Sequence, residues 1–477
     1  MTLILPWISW ITALTLLGIP RQNLRLLKRL TASACLLSAA AVLFMVLNFD
    51  GRSGAEYQFV TRLSWLPALG IDYVSGVDGL GLTFCLLTAL VSGASLFSAF
   101  TVSDRLKEYL VFFLLLSGAF YGVFTSMNLF FVYVFYEVTL LAVYPMIAVW
   151  GTGKKEAAAI QMAVMTGLGA VLALFGLFLL YQQGGPAVFD LEAAPRNLLA
   201  AETQIRLAPL FLIAFGLLSS LWPLHSWAPA AYASAPASAA MLHAGIKAGP
   251  YLLLRVAAGL LPEGMRAWAD ALALAAAVGI VYAAYAALRQ KSLRLIFGFS
   301  GVSHLGYVFL GLAAFSAPSV SGAVFLVFAH GILTAALFSA AGTLSNRTQH
   351  DEIQAFGGLA QSAPFLSAAL IAASMASLGM PGFANFASEL MILLSTWSVY
   401  PWLTGLAVLG ILLTSVYLLR MIQAVCYGKA VQAETFSNLR LHETLPLALL
   451  IGTLILFGLW PSGLLQWIEP AIGAFIS

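Results

Sequence analysis

Fourteen apolar runs, each near the roughly 20-residue length that crosses the hydrocarbon core of a bilayer, follow one another between short charged or Pro/Gly-rich connections. They fall at 3–19, 29–48, 79–102, 109–127, 129–150, 157–181, 207–229, 237–261, 268–288, 295–317, 319–344, 363–397, 402–425 and 444–465. Such runs leave the chain few choices, because hydrocarbon offers backbone groups no partner and a helix of this length satisfies its own. With 61% hydrophobic and 9% charged residues, the chain also lacks the polar surface to cover a soluble globule. The expected fold is an all-α polytopic membrane protein with about 14 transmembrane helices, a single transmembrane domain over 1–477. The first run has neither a basic start nor a small-residue cleavage pattern and is read as a retained span.

The basic residues orient these helices. Of 22 Lys and Arg, fifteen fall on connections that leave odd-numbered runs, among them Arg21, Lys28, Lys107, Lys155, Arg289, Lys291 and Arg347. Six, Arg52, Arg62, Arg196, Arg206, Arg255 and Arg266, are assigned to the other side, several balanced by Asp50, Glu56, Asp190, Glu192 or Glu263. Lys/Arg excess marks the cytoplasmic face, so both termini are expected outside. The net charge of +3 is small and dispersed, which speaks against a nucleic-acid partner. Cys35, Cys85 and Cys426 form no CxxC or Cys/His cluster, so neither disulfide nor metal site is read, and no Gly-rich nucleotide loop is present.

The stretch LLSSLWPLHSWAPAAYASAPASAAMLHAGIKAGPYLLLR, 217–255, interrupts this order with Pro223, Pro229, Pro236 and Pro250. A proline inside a helix removes a donor and clashes with the preceding turn, so the seventh run is expected to break near Pro223. Gly379-Met380-Pro381-Gly382 breaks the twelfth. Irregular backbone at membrane depth is tolerated only where protein or a water-lined cavity satisfies it, which is the local mark of an ion path. The broken helices 7 and 12 lie five spans apart, and an odd spacing inserts corresponding units in opposite orientation, as in inverted-repeat transporters.

A charge at the bilayer centre costs about 3 kcal/mol on insertion scales, so ionisable residues inside runs are functional candidates. Glu137, Lys247 and Glu389 qualify, with His225, His243, His304 and His330 in or beside spans. His243 and Lys247 stand at i, i+4, one helix face. A lone histidine in a bundle is as often a hydrogen-bonded packing residue as a carrier, and a buried structural pair is the alternative for the three charges. Their spread over three spans, two of them beside breaks, suits a stepwise proton relay better. Aromatic and Met abundance reads as lipid contact and packing.

These residues sit in stretches that resemble the antiporter-like, proton-translocating membrane subunits of respiratory complex I (NADH:quinone oxidoreductase), of the chain M and chain 4 type. The likeness runs from about Trp65 onward. It is carried by LGIDYVSGVDGLGLTF with Gly70, Asp78 and Gly79, FYEVTLLAVYPMIAVWG around Glu137, WPLHSW, AGIKAGPYLLLR, FSGVSHLGYVFLG, HGILTAALFSAAGTL and SLGMPGFANFASELMILL. The absence of a long amphipathic helix after the last run sets it apart from the chain L type. The resemblance implies N-terminal helices 1–3 (1–102), two inverted five-helix repeats, spans four to eight (109–261) and nine to thirteen (268–425), and a last helix (444–477). It assigns Glu137 as the fifth-helix glutamate, Lys247 as the central eighth-helix lysine and Glu389 as the twelfth-helix exit residue. It also implies a non-redox translocase subunit in the bacterial inner membrane, with no cofactor of its own and other membrane subunits as partners. Flavin, iron–sulfur clusters and quinone would belong to those partners.

The sequence departs from the family at the seventh helix. The family's lysine, seven residues before the histidine of PLH, is Leu218 here, and the usual Trp-Leu-Pro-Asp-Ala-His is Trp227-Ala228-Pro229-Ala230-Ala231-Tyr232. Glu137 thereby loses a cationic partner. His243 is the nearest candidate replacement, while Ser219 and Ser220 can hold water but carry no charge. Two other readings stand beside the first: a subunit of a multi-subunit cation/proton antiporter, energy-converting hydrogenase or inorganic-carbon uptake complex, and a structural subunit that has lost pumping.

Overall fold

The computed structural model describes residues 1–51, 56–69, 71–192, 198–429 and 439–476. Gly70, Arg52 and Arg196, used above, lie outside the described residues. Helices follow the apolar runs. Eleven among the described residues are long and apolar enough to cross a membrane by themselves, from Leu24–Asn48 to Leu441–Leu459. The other three runs are short or interrupted. The first is the 15-residue helix Ile4–Gly18. The eighth is split into Ala237–Gly245, Ala248–Leu252 and the π-helical turn Leu253–Ala258. The twelfth is split into Pro364–Ser377 and Ala384–Trp397. The expected count of fourteen therefore depends on taking these three as spans as well.

The interior is not evenly shared. The tenth-run helix Leu293–Ala313 and the eleventh-run helix Ala317–Thr348 are buried almost throughout, whereas Leu24–Asn48 and Pro401–Cys426 turn Leu36, Leu47, Leu412 and Leu419 outward. An apolar outer face is what lipid or a neighbouring apolar surface demands. The central pair instead carries small residues that let backbones approach. A Cβ on Gly331 would lie 2.5 Å from the Gly245 carbonyl oxygen, so Ala317–Thr348 packs directly on the first piece of the eighth run.

Two features depart from an all-α chain ending in one helix. Residues Gln58–Leu66 and Ile71–Val77 form an antiparallel hairpin, pairing Thr61 with Ser75 and Leu63 with Tyr73. Its second strand is tied to the bundle by Met127, whose N–H donates to the Val74 carbonyl. The last run ends at Leu459, and a separate helix, Ser462–Ile476, follows. That helix lies on the start of Gly79–Ala99, where any Cβ at Gly79 would collide with the Trp467 carbonyl.

Candidate functional site at the helix breaks

Three interrupted spans build the site, and side chains meet free carbonyls at two of the breaks. The seventh-run helix Ala201–Leu218 stops before Pro223, as its sequence predicts, and resumes at Trp227–Ser234. The Trp227 indole donates back to the Leu217 carbonyl at 3.0 Å and so caps the broken end. In the twelfth run, Gly379 adopts φ +66°, which only glycine takes without strain. A Cβ there would stand 2.6 Å from Glu389 Oε2, so the same glycine also clears space for the carboxylate. The eighth run breaks at Ile246, which is extended, and at Lys247, which is also non-helical. The i, i+4 helix face expected for His243 and Lys247 is therefore not continuous; the two meet instead across a shared cavity.

From Lys247 a line of buried groups runs to Glu389. Lys247 is 5% exposed, its Nζ has no hydrogen-bond partner among the described residues, and it stands 5.1 Å from the Tyr232 ring centre. A Cβ on Gly301 would lie 3.9 Å from Lys247 Nζ and 3.8 Å from His330 Nε2, so both nitrogens flank one glycine. The His330 ring stacks on that of His304 at 4.8 Å and 8°. His304 Nε2 then lies 3.8 Å from Glu389 Oε1.

His304 is held from both sides. Its Nδ1 is 2.8 Å from the Ser300 carbonyl oxygen and its Nε2 3.0 Å from that of Ser377. Ser377 is the last residue of the first half of the broken twelfth helix, so the break supplies the free carbonyl that orients the ring. Ser300 Oγ in turn accepts from Tyr417 at 2.8 Å.

Not every expected site residue joins this line. Glu137 is half-buried beside Tyr133, with Oε1 unpartnered, and no hydrogen bond or ion pair among the described residues links it to Lys247 or His243. His225 is buried against the Tyr282 ring at 5.1 Å, its Nδ1 unpartnered. The sequence reading missed one interior charge pair. Arg255, assigned above to a connection, is 2% exposed and donates to both carboxylate oxygens of Asp78 at 2.7 and 2.5 Å. Asp78 also accepts from Gly81 N–H and caps Gly79–Ala99. The signal was available, since Arg255 lies within the eighth apolar run, but its partner is 177 residues away. No group of three or more His, Cys, Asp or Glu among the described residues is placed to hold a metal ion.

Helical spans broken around an interior lysine, histidines and a glutamate define a membrane protein of the transporter-like class. The chain belongs to the family described as NADH:quinone oxidoreductase/Mrp antiporter, TM, whose model matches residues 126–414. It is 35% identical over 437 residues to NADH-quinone oxidoreductase subunit M of Rickettsia bellii, covering 90% of this chain and 88% of that one. A chain of respiratory complex I from Thermus thermophilus, solved with bound NADH, matches with a TM-score of 0.91 at 28% identity, covering 100% of this chain and 99% of that chain. A chain of the Mrp complex from Dietzia sp. DQ12-45-1b shares the fold, with a TM-score of 0.86 at 19% identity over the whole of both chains.

Proposed function

We propose that this chain is a proton-translocating membrane subunit of an NADH:quinone oxidoreductase, moving protons through Lys247, His330, His304 and Glu389. The observation that carries the reading is the line of buried groups from Lys247 and His330, which flank Gly301, through the stacked histidines to Glu389. Each step ends on a group able to gain and lose a proton. Burying such groups is costly, and use in transport is the reason to keep them. Glu137 and His243 belong to the first five-helix unit and Glu389 to the second, the halves being 109–261 and 268–425. His225 stands at the seventh break as an accessory group. Redox chemistry and its flavin, iron–sulfur and quinone groups belong to partner subunits, and this chain acts without a cofactor of its own. The site is a bacterial inner membrane.

The test is proton uptake or release by vesicles containing the purified complex, followed with a pH-sensitive dye while NADH is oxidised. Glu389→Gln is expected to lower proton movement by about tenfold or more, the scale of a positioned proton-transfer group. Normal pumping by that variant in an assembled complex would remove the reading.

Topology gives a separate expectation. With Arg255 counted in the interior, fifteen Lys and Arg against five favour both termini outside. A single cysteine in a short extension ahead of Met1, or one at residue 474, should react with an impermeant thiol reagent added to intact cells, and one at Lys291 only after lysis. A cytoplasmic C-terminus would overturn the even number of spans.

A further inference from the structure

Two small cavities meet at Leu218 and Tyr136, only one of them lined by Lys247, and their chemistry is opposite. The first, about 20 Å³, is lined by Thr139, Ser219, His243 and Lys247. Ser219 Oγ, His243 Nε2 and Lys247 Nζ are buried without a protein partner among the described residues. A cavity needs roughly 10–15 Å³ and two to four polar partners to hold a water, and this one has both. The second, also about 20 Å³, is walled by Val132, Ala173, Leu177, Phe215 and Val256, with tyrosine rings. A cavity of that size with apolar walls excludes water. It lies toward the end of the bundle where Leu129–Trp150 begins and Lys155–Gly184 finishes.

Two residues line both cavities, Leu218 and Tyr136. Leu218 is the last residue before the seventh-helix break and is 7% exposed. Its backbone is fixed there, because Ser219 packs so tightly on Gly249 that any Cβ at 249 would collide with Ser219 Oγ.

We propose that Leu218, backed by Tyr136, is a hydrophobic partition that confines a bridging water to the Lys247 side and bars hydration of the cavity beyond it. Proton exchange at Lys247 is thereby directed to the Thr139, Ser219 and His243 side. A proton cannot cross an unhydrated apolar gap, since each transfer needs a hydrogen-bond partner or one intervening water. Replacing the isobutyl group by a small polar side chain joins the two cavities and supplies a donor at the boundary. The inference rests on the proposed function only for its meaning; the partition itself is a statement about water.

Water is read by thiol chemistry on the assembled complex. Ala173→Cys places a thiol on the far cavity, and a small water-soluble methanethiosulfonate reports its access. With Leu218 in place the reaction is expected to be as slow as at the buried native Cys35, Cys85 and Cys426. Leu218→Ser should speed it at least about tenfold, Leu218→Met should leave it slow, and Leu218→Ala, a second variant should the serine form fail to assemble, should also speed it. Fast labelling with Leu218 intact, or slow labelling in an assembled Leu218→Ser or Leu218→Ala complex, overturns the partition. If labelling responds as expected while Glu389→Gln pumps normally, the partition stands and the proton reading falls. The opposite pair of results removes the partition alone.

Discussion

Lys247→Met is expected to cut proton movement by the reconstituted complex about tenfold or more while the subunit still assembles. The lysine stands in a helix break, is 5% exposed and has no hydrogen-bond partner for Nζ among the described residues. Methionine keeps most of the stem that fills this space and removes only the charge. Because a charge held in the membrane interior costs about 3 kcal/mol, its loss should leave stability unchanged or improved. Transport and stability are thus expected to move in different directions, which a structural lysine would not produce. The measurements are dye-reported proton movement and the temperature at which the complex dissociates. Unchanged transport together with lowered stability would assign Lys247 to packing.

The opposite pattern is expected at Arg255. Removing one partner of a buried ion pair leaves the other charge stranded, at a cost of about 3–5 kcal/mol, whereas removing both charges is often neutral. Arg255 and Asp78 are each 2% exposed, and the arginine joins the eighth run to the capped start of Gly79–Ala99. Arg255→Met should therefore destabilise the subunit by roughly 3–5 kcal/mol. Adding Asp78→Asn should recover most of that loss, because asparagine can still accept from Gly81 N–H and keep the cap. Denaturant or thermal titration of the complex in detergent measures both. A double variant as unstable as the single one would show that the guanidinium acts through other contacts, such as Tyr57 and the Tyr251 ring.

The extent of what could be read in advance follows from the range of each interaction. Apolar length and proline position act locally, so the runs and the breaks at 219–226 and 378–383 were legible from residues alone. The break at Lys247 was not. Its proline, Pro250, sits in the first turn of the resumed helix, where it is tolerated, and the interruption falls earlier, at Ile246 and Lys247. Arg255 was misplaced for a related reason: a charge in an apolar run looks like a run's end until its counterion is known. The hairpin Gln58–Leu66/Ile71–Val77 was missed because short strands between spans leave no signal in a search for long apolar runs.

By itself the sequence determined that this is a many-spanning helical membrane protein, that the seventh and twelfth spans break, and which ionisable residues are candidates. It did so because insertion into hydrocarbon is governed by length, hydropathy and backbone hydrogen bonding, all encoded residue by residue. Only the tertiary structure decided which candidates meet. His304 stacks on His330 and approaches Glu389, whereas Glu137 and His225 stand apart, and Leu218 proves to be a wall shared by two cavities. Those relations depend on glycines that let helices far apart in sequence touch, as Gly245 and Gly331 do at a separation of 86 residues. No local rule carries that information, because it resides in the packing of one helix against another.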